Sequence, residues 1–528
     1  GKKTYQDLYN EVVSIANHLL HLGVKKGDKV AILSANMPNW GITQFAIANI
    51  GAIAVPVLPG FCSTELQNIL EHAEVKVIFV SRLLAKCLEG VKTPFLEHKI
   101  LINNFSTIPE GCYQPEELDK LVPDISLNNT TPLPEVSIEE EDIASIIYTS
   151  GTTGFSKGVV LTHKNLVWDA RQCHTIQPVD ETYRFLSILP MAHTYENTLG
   201  LLLPLMFGAQ VYYLDRVPTP KLLVPAMQKI RPTVVLSVPL IIEKIYKSQV
   251  LPKFTSSKLM SKLYQFAPAR KLFNRLAGKK LMETFGGELK FFGIGGSKLD
   301  GTVEQFLREA KFPYAIGYGL TETAPMAAGS NPSQTFLQGV GPVMEGVQIK
   351  INDPDKSGQG EIWIKGPNVM KGYYKRPELT AETFTEDGWF KTGDLGSFDK
   401  KNRLAIRGRI KTMILGASGE NIYPEEIESI INNFRFVNES LVVENSGKLV
   451  AMVHFNMEEL EKQYQKLKDQ AGNYKEKIND YIEEQKQELR DYVNARVNNF
   501  SKLQLVLVQH EPFEKTPTHK IKRFLYCK

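Results

Sequence analysis

Residues 143–163 read Ile143-Ala-Ser-Ile-Ile-Tyr-Thr-Ser-Gly-Thr-Thr-Gly-Phe-Ser-Lys-Gly-Val-Val-Leu-Thr-His163. The apolar run of Ile143, Ala144, Ile146 and Ile147 predicts a buried strand, and Val159 to His163 predicts a second. Between them, Thr149, Ser150, Thr152 and Thr153 supply hydroxyls, Gly151, Gly154 and Gly158 supply freedom, and Lys157 supplies a charge. A glycine-rich loop lets backbone N–H groups turn inward on an anion. Hydroxyl donors and one ammonium complete the chemistry of a triphosphate cradle. The loop is not the P-loop of ordinary NTPases, in which Gly-Lys precedes Ser or Thr and opens a helix. Here Lys157 follows Ser156 and leads through Gly158 into a strand. Taken alone, the stretch also reads as a Gly/Ser/Thr linker.

Outward from this loop, strands and helices alternate. Helical spacing of Tyr5, Leu8, Val12, Ile15, Leu19 and Leu22 predicts a helix over 4–23. Strands follow at 30–33, 52–57 and 75–80, with helices over 39–51 and 63–73. Residues 103–141 lack pattern and read as a surface connection. Beyond the loop the alternation resumes, with strands at 185–189, 210–214 and 233–238 and helices at 196–207 and 219–230. This predicts an α/β fold of two doubly wound sheets. Leu289–Ser297 and Pro313–Thr323 each read as a strand entering a Gly turn. Residues 337–408 change to short alternating strands, the mark of a small β-barrel or sandwich. A boundary falls at Ile410–Lys411, between a large domain over 1–409 and a small α+β domain over 412–528. In the small domain, Leu460, Tyr464, Leu467, Ala471, Tyr474, Ile478 and Tyr481 predict a helix with one narrow apolar stripe. That stripe suits docking on its own domain better than a coiled coil.

The 528 residues exceed one core. A net charge of +4 is too small to require nucleic acid. Five scattered cysteines without metal-ligand spacing predict free thiols in a reducing compartment. No apolar run reaches the roughly 20 residues of a membrane span. No signal peptide is visible, and patterned sequence starts so soon after Gly1 that part of the N-terminus is expected to be missing. These features predict a cytoplasmic protein. Lys244 to Met282 holds ten Lys or Arg and no acid. It reads as a solvated helical insertion or as a surface for an anionic membrane at the inner face, since Leu259, Leu263 and Phe266 lie at helical spacing.

Further segments carry chemistry. Pro190-Met-Ala-His-Thr-Tyr-Glu196 sets His193 just past a strand. Gly317-Tyr-Gly-Leu-Thr-Glu322 groups a ring, a hydroxyl and a carboxylate. Trp389-Phe-Lys-Thr-Gly-Asp-Leu395 puts Asp394 on a Gly turn. Arg407-Gly-Arg-Ile-Lys411 opens the small domain, and Lys515-Thr-Pro-Thr-His-Lys-Ile-Lys522 nearly closes the chain. Open α/β sheets bind ligands beyond the carboxyl ends of their strands. Each residue alone also has a plain structural reading: His193 as a hydrogen-bonded core residue, Tyr318 as core, Asp394 as a turn carboxylate, Lys520 as surface.

Together and in this order, the segments resemble the adenylate-forming superfamily of acyl-CoA synthetases, luciferases and peptide-synthetase adenylation domains. The resemblance covers essentially the whole chain. It implies a large domain of two α/β sheets and a β-barrel, and a small C-terminal domain that swings as a lid. It implies attack of a carboxylate on the α-phosphate of MgATP to give an acyl-adenylate, then thiolysis with loss of AMP. Carried over by residue, Thr149, Ser150, Gly151, Thr152, Thr153, Gly154 and Lys157 would hold the β- and γ-phosphates. Tyr318, flanked by Gly317 and Gly319, would stack on adenine, and Thr321 would bond the α-phosphate. Glu322 would ligate Mg²⁺, with Thr149 as a second ligand. Asp394 and Arg409 would reach the ribose, Lys411 would sit at the hinge, and Lys520 would meet the α-phosphate and the attacking carboxylate. His193 would orient substrate between acyl and thiol pockets. The chain departs from the common pattern at Ser156, where relatives have Pro, and at His519, where they have Gly, so Lys522 stays an alternative to Lys520. Leu415 and Asn421 stand where some relatives carry further ATP contacts.

Within the superfamily the chain looks most like bacterial long-chain fatty acid–CoA ligases, on Leu189–Glu196, on Gly416–Glu428 and on the long charged helix of the small domain. The resemblance implies a fatty acid, ATP and CoA as substrates. An acyl–carrier-protein ligase and an amino-acid or aryl-acid adenylating enzyme are the alternatives; a non-catalytic nucleotide-binding scaffold would keep the fold but lose the lysine, and the presence of Lys520, Glu322 and Asp394 argues against it. Leu199, Leu201, Leu202 and Leu203 read either as core or as the wall of an acyl tunnel.

Overall fold

The computed structural model describes residues 2–527, except 62, 126, 128–130, 150–155, 215–218, 256, 416–420, 446, 468–473 and 517–519. Its internal contacts divide into two compact units. One holds residues 1–350, 363–391 and 399–404; the other holds 351–362, 392–398 and 405–528.

The first unit contains two large sheets. The chain enters through the helix Tyr5–His21, started by a capping box in which Thr4 Oγ1 accepts from Asp7 N and Asp7 Oδ2 accepts from Thr4 N. Its buried face carries Val12, Ile15, Ala16 and Leu19. The first sheet has eight strands in the order 372–373, 157–162, 143–149, 53–57, 29–33, 75–80, 98–101, 106–107. Strands 143–149, 53–57, 29–33, 75–80 and 98–101 run parallel. Both faces of such strands are covered, which is why Ile53–Val57 and Val75–Val80 are almost uniformly apolar. The strand Lys157–Thr162 turns back antiparallel on Ile143–Thr149. It stops one residue short of the expected end: Thr162 accepts from Asn165 N and opens the helix His163–Ile176.

The second sheet has the order 326–329, 314–319, 291–294, 234–237, 184–187, 210–213, parallel except for its first strand. The expected helix over 196–207 is a compound element. Thr194–Glu196 and Leu203–Met206 are α-helical, and Asn197–Leu202 between them is a π-turn whose residues are all buried. Single π-turns inside helices concentrate at functional sites.

The expected β-rich region at 337–408 forms a four-stranded sheet of Gln348–Asn352, Gly360–Lys365, Phe390–Phe398 and Leu404–Arg409. The division into units passes along each of these strands.

The second unit also carries the three-stranded sheet Val437–Asn445, Lys448–Phe455 and Leu505–Val508. The helices Pro424–Ile431, Met457–Leu467 and Tyr474–Asn494 cover it. Ile427, Ile431, Leu460, Leu489 and Val493 meet Val442, Leu449, Val453 and Phe455 in one core. Of the expected apolar stripe, Leu460 and Tyr481 pack in this core; the stripe falls on two helices, with residues 468–473 outside the description.

Candidate active site

In the first unit, the two strands that flank the glycine loop pair antiparallel. Thr149 faces Lys157 and Tyr148 faces Gly158 across the pair. Gly158 is needed, because a Cβ there would lie 2.9 Å from Ile146 Cγ2. Ser150, Gly151, Thr152, Thr153 and Gly154 lie outside the described residues. Tyr148 is buried, and its hydroxyl pairs with His72 Nδ1 at 2.7 Å.

The strand Tyr314–Gly319 runs into the 3₁₀ turn Thr321–Thr323. This turn is cross-braced. Leu320 N donates to Pro325 O at 3.0 Å, and Thr323 Oγ1 donates to Pro325 O at 2.6 Å. A Cβ at Gly319 would sit 1.7 Å from Pro325 O, so only glycine fits. Tyr318 is buried, and Thr321 and Glu322 are half-buried. Glu322 is fixed by two contacts that sequence reading missed. Its backbone O accepts from Met370 N at 2.9 Å, and its Oε1 accepts from Tyr373 OH at 2.9 Å. Tyr373 stands 51 positions from Glu322, in Gly372-Tyr-Tyr374, and it is brought there by pairing of Gly372–Tyr373 with Val159–Val160. No local pattern announces such a pairing. The ammonium of Lys157 lies 4.9 Å from the centre of the Tyr373 ring. The structure thus links the candidate phosphate lysine and the candidate metal ligand through one aromatic side chain.

His193 caps the helical stretch that follows it, its Nδ1 accepting from Tyr195 N at 3.2 Å. This pattern assigns the proton of the neutral ring to Nε2. Glu196, three residues on, is buried. Ser187 Oγ donates to its Oε1 at 2.5 Å. Burial pushes its carboxyl up to about 8, so it is mostly neutral at pH 7. With no cation beside it among the described residues, it keeps its proton, and it does not stand as a ready-made counter-ion for an amino group.

An apolar cavity with about 50 Å³ of open space adjoins these elements. Tyr195, Leu199, Leu203, Gly293, Gly317 and Met326 are among its walls. Two of the four leucines after His193, Leu199 and Leu203, thus face the cavity, whereas Leu201 belongs to the core of the first sheet. Two glycines make room for the Met326 side chain: a Cβ on Gly317 or Gly329 would come within 2.7 or 2.6 Å of its Cε.

In the second unit, Asp394 and Arg409 are brought together, Nε to Oδ1 at 3.0 Å. Asp394 is only 4% exposed, and its backbone N donates to Thr392 Oγ1 at 3.0 Å. Arg409 is exposed, and Lys411 is exposed in the 3₁₀ turn Ile410–Thr412. Lys520 is exposed on a hairpin in which Thr516 N donates to Lys520 O at 2.7 Å and Lys520 N donates to Thr516 Oγ1 at 3.2 Å. His519 lies outside the described residues. Leu415 is exposed.

Among the described residues no group of three or more His, Cys, Asp or Glu could hold a metal by itself. One carboxylate beside the flanks of a hydroxyl-bearing loop fits Mg²⁺, which is commonly held by one or two carboxylates together with substrate phosphates.

Known proteins resemble the chain throughout its length. Fatty acyl-CoA synthetase A of Dictyostelium discoideum is 26% identical, over 97% of this chain and 82% of its own. A chloroplastic long-chain-fatty-acid–[acyl-carrier-protein] ligase of Arabidopsis thaliana, AEE15, is 29% identical, over 87% of this chain and 73% of its own. ATP-bound MatB from Rhodopseudomonas palustris has the same fold, with a TM-score of 0.76 at 21% identity, covering 100% of this chain and 93% of that one. Residues 1–374, well over half the chain, match the AMP-binding enzyme family, and the chain belongs to it.

Proposed function

We propose that the chain activates a fatty acid, of long chain, with ATP to an acyl-adenylate and pyrophosphate, and passes the acyl group to CoA. The observation that carries this reading is the strand Tyr314–Gly319. Gly317 lines the apolar cavity, and the same backbone continues five residues later into Glu322, paired through Tyr373 with Lys157. An apolar tail site and a phosphate site thus adjoin on one element.

The first step joins two anions, a carboxylate and the α-phosphate, so it needs positive charge where they meet. Lys520 supplies it. Thr149, Lys157 and the loop between hold the β- and γ-phosphates, Thr321 bonds the α-phosphate, and Tyr318 faces adenine. Asp394 accepts from both ribose hydroxyls with Arg409 beside it. Glu322, joined by Thr149, holds Mg²⁺, which when bound neutralises charge on the phosphate oxygens. His193 orients substrate with Nε2. The second step, attack by a thiol, has no such need for Lys520. A hinge at Ile410–Lys411 lets residues 412–528 swing as a lid between the two steps. Neutral Glu196 supports an acid without an amino group.

The thiol is CoA in this reading, with a carrier protein as the alternative. Pyrophosphate release measured with fatty, aryl and amino acids, then product formation with CoA or with acyl carrier protein, tests both choices. Release with amino acids alone would overturn the reading.

The basic stretch contributes a membrane contact. Arg270 and Asn274 bind Glu309, and Gly278 sits against Ala310, so the opposite face of the helix Ala267–Thr284 points outward. That face exposes Leu272 and Leu276 among Lys271, Arg275, Lys279 and Lys280, and the preceding helix exposes Leu259 and Leu263, with Phe266 just after it. Apolar tips ringed by cations suit an anionic lipid surface. Among the described residues no helix is long and apolar enough to cross a membrane. Flotation with phosphatidylglycerol vesicles, lost in Leu272→Ser/Leu276→Ser, tests this contact; equal binding to phosphatidylcholine vesicles, or to none, rejects it.

A further inference from the structure

Tyr373 carries an inference that rests on the metal role of Glu322. Its position is strongly specified. Lys371 N donates to Val160 O at 3.0 Å and Tyr374 N donates to Gly158 O at 2.8 Å, which stitches the segment to the strand that begins at Lys157. Tyr373 N donates to Thr380 Oγ1 at 2.9 Å. Gly372 has φ +148°, and a Cβ there would lie 2.7 Å from Thr380 Cγ2, so the approach to Tyr373 requires glycine. The ring is 7% exposed. A phenol keeps its proton at neutral pH, so against a carboxylate oxygen the group is the hydrogen-bond donor.

Apart from Thr383 beside its hydroxyl, this one side chain makes two contacts toward the candidate site. The hydroxyl donates to Glu322 Oε1, and the ring lies under the Lys157 ammonium. A phenol on one carboxylate oxygen directs the other toward a metal and favours ligation through a single oxygen. That matters for Mg²⁺, which tolerates little departure from octahedral geometry. A ring beneath the ammonium limits the orientations of a long, flexible side chain before the phosphates arrive. We infer that Tyr373 is a positioning residue for the metal–triphosphate unit, aligning Glu322 through its hydroxyl and Lys157 through its ring.

Tyr373→Phe removes the first contact and keeps the second; Tyr373→Leu removes both. The readout is Mn²⁺ affinity of the protein bound to α,β-methylene-ATP, followed by electron paramagnetic resonance of free Mn²⁺, together with metal-free affinity for the same nucleotide by calorimetry. A hydrogen bond to a charged group implies that Tyr373→Phe weakens Mn²⁺ binding by at least about tenfold. Metal-free nucleotide affinity is expected to be unchanged in Tyr373→Phe and changed in Tyr373→Leu. Glu322→Gln is measured in parallel. If it leaves Mn²⁺ affinity intact, the metal assignment of Glu322 is wrong and the inference falls with it. If Glu322→Gln weakens Mn²⁺ while Tyr373→Phe does not, the metal assignment stands and the role of Tyr373 is rejected. The double variant Glu322→Gln/Tyr373→Phe is expected to bind Mn²⁺ no more weakly than Glu322→Gln alone. Additive losses would show that Tyr373 acts through general packing, and would overturn the inference.

Discussion

Glu322 and Lys520 are proposed to act around one triphosphate, yet the chain builds them in opposite ways. Glu322 sits half-buried in a turn locked by Leu320, Thr323 and Pro325, held again by Met370 and Tyr373. Lys520 stands exposed on a hairpin closed through Thr516. The contrast follows from duty. A metal ligand serves best when preorganised, because geometry fixed in advance needs no rearrangement at the moment of reaction. A cation needed for one half-reaction serves best on a segment that can arrive and leave. The largest expected effect tests this difference. Lys520→Ala is expected to lower acid-dependent pyrophosphate release by at least about a hundredfold, while thiolysis of supplied acyl-adenylate survives. Equal loss in both half-reactions would erase the distinction. Lys522→Ala run beside it decides between the two lysines.

Asp394 belongs with Glu322 in this contrast, being nearly inaccessible and tied to Thr392 and Arg409. A residue that grips the nucleotide is needed in both steps. Asp394→Ala is accordingly expected to raise the apparent KM for ATP by about tenfold or more, and to raise the KM for supplied acyl-adenylate as well. Arg409→Ala, at the exposed end of the same pair, is expected to cost only a few-fold. An unchanged nucleotide dependence in Asp394→Ala would remove it from the ribose.

The sequence made the alternation around residues 143–163 legible because parallel strands, buried on both faces, must be apolar along their whole length. It also made legible the turns at Gly319 and Gly393, since a close approach to backbone, here Pro325 O, or a positive φ leaves glycine as the economical choice. Tyr373 was not legible, because its partner Glu322 is reached only through sheet pairing. The helix start at Thr162 was readable from its Asn165 capping partner but was masked by a β-rich run. The π-turn at Asn197–Leu202 was not legible, since an apolar stretch that is buried all round has no periodicity to betray an extra residue in the turn.

Met326 sharpens the comparison from the substrate side. Its thioether sits against Gly317 and Gly329 in a cavity with only about 50 Å³ open, so a long chain requires a side chain to move. Methionine is the adaptable filler among apolar residues. Met326→Ala is expected to shift kcat/KM a few-fold toward longer acids, and Met326→Phe a few-fold toward shorter ones, a discrimination of about 1 kcal/mol that one or two methylenes can supply. Opposite shifts in both variants place the acyl tail in this cavity. Parallel losses across all chain lengths would assign Met326 to the nucleotide side of the strand instead.

Glu196 is expected to leave catalysis unchanged and gives the cleanest sign, in stability. Unlike half-buried Glu322, it is fully enclosed, and burial raises its carboxyl from 4.5 to about 8. Below pH 4.5 the folded and unfolded chains both keep this proton, and the group's contribution to stability is fully present. As pH rises from 4.5 to 8 the unfolded chain releases the proton and the folded chain retains it, so stability falls through that window by a few kcal/mol. Above about pH 8 both states are ionised and the slope vanishes. Glu196→Gln keeps an acceptor for Ser187 and removes the titration. Its urea midpoint is therefore expected to decline less between pH 5 and pH 8 than that of the parent, with the preference among acids unchanged. Parallel midpoints in the two proteins would mean that Glu196 is ionised in the fold. A buried acid three residues from His193 would then be available to an ammonium group, and an amino acid would return as the substrate to beat.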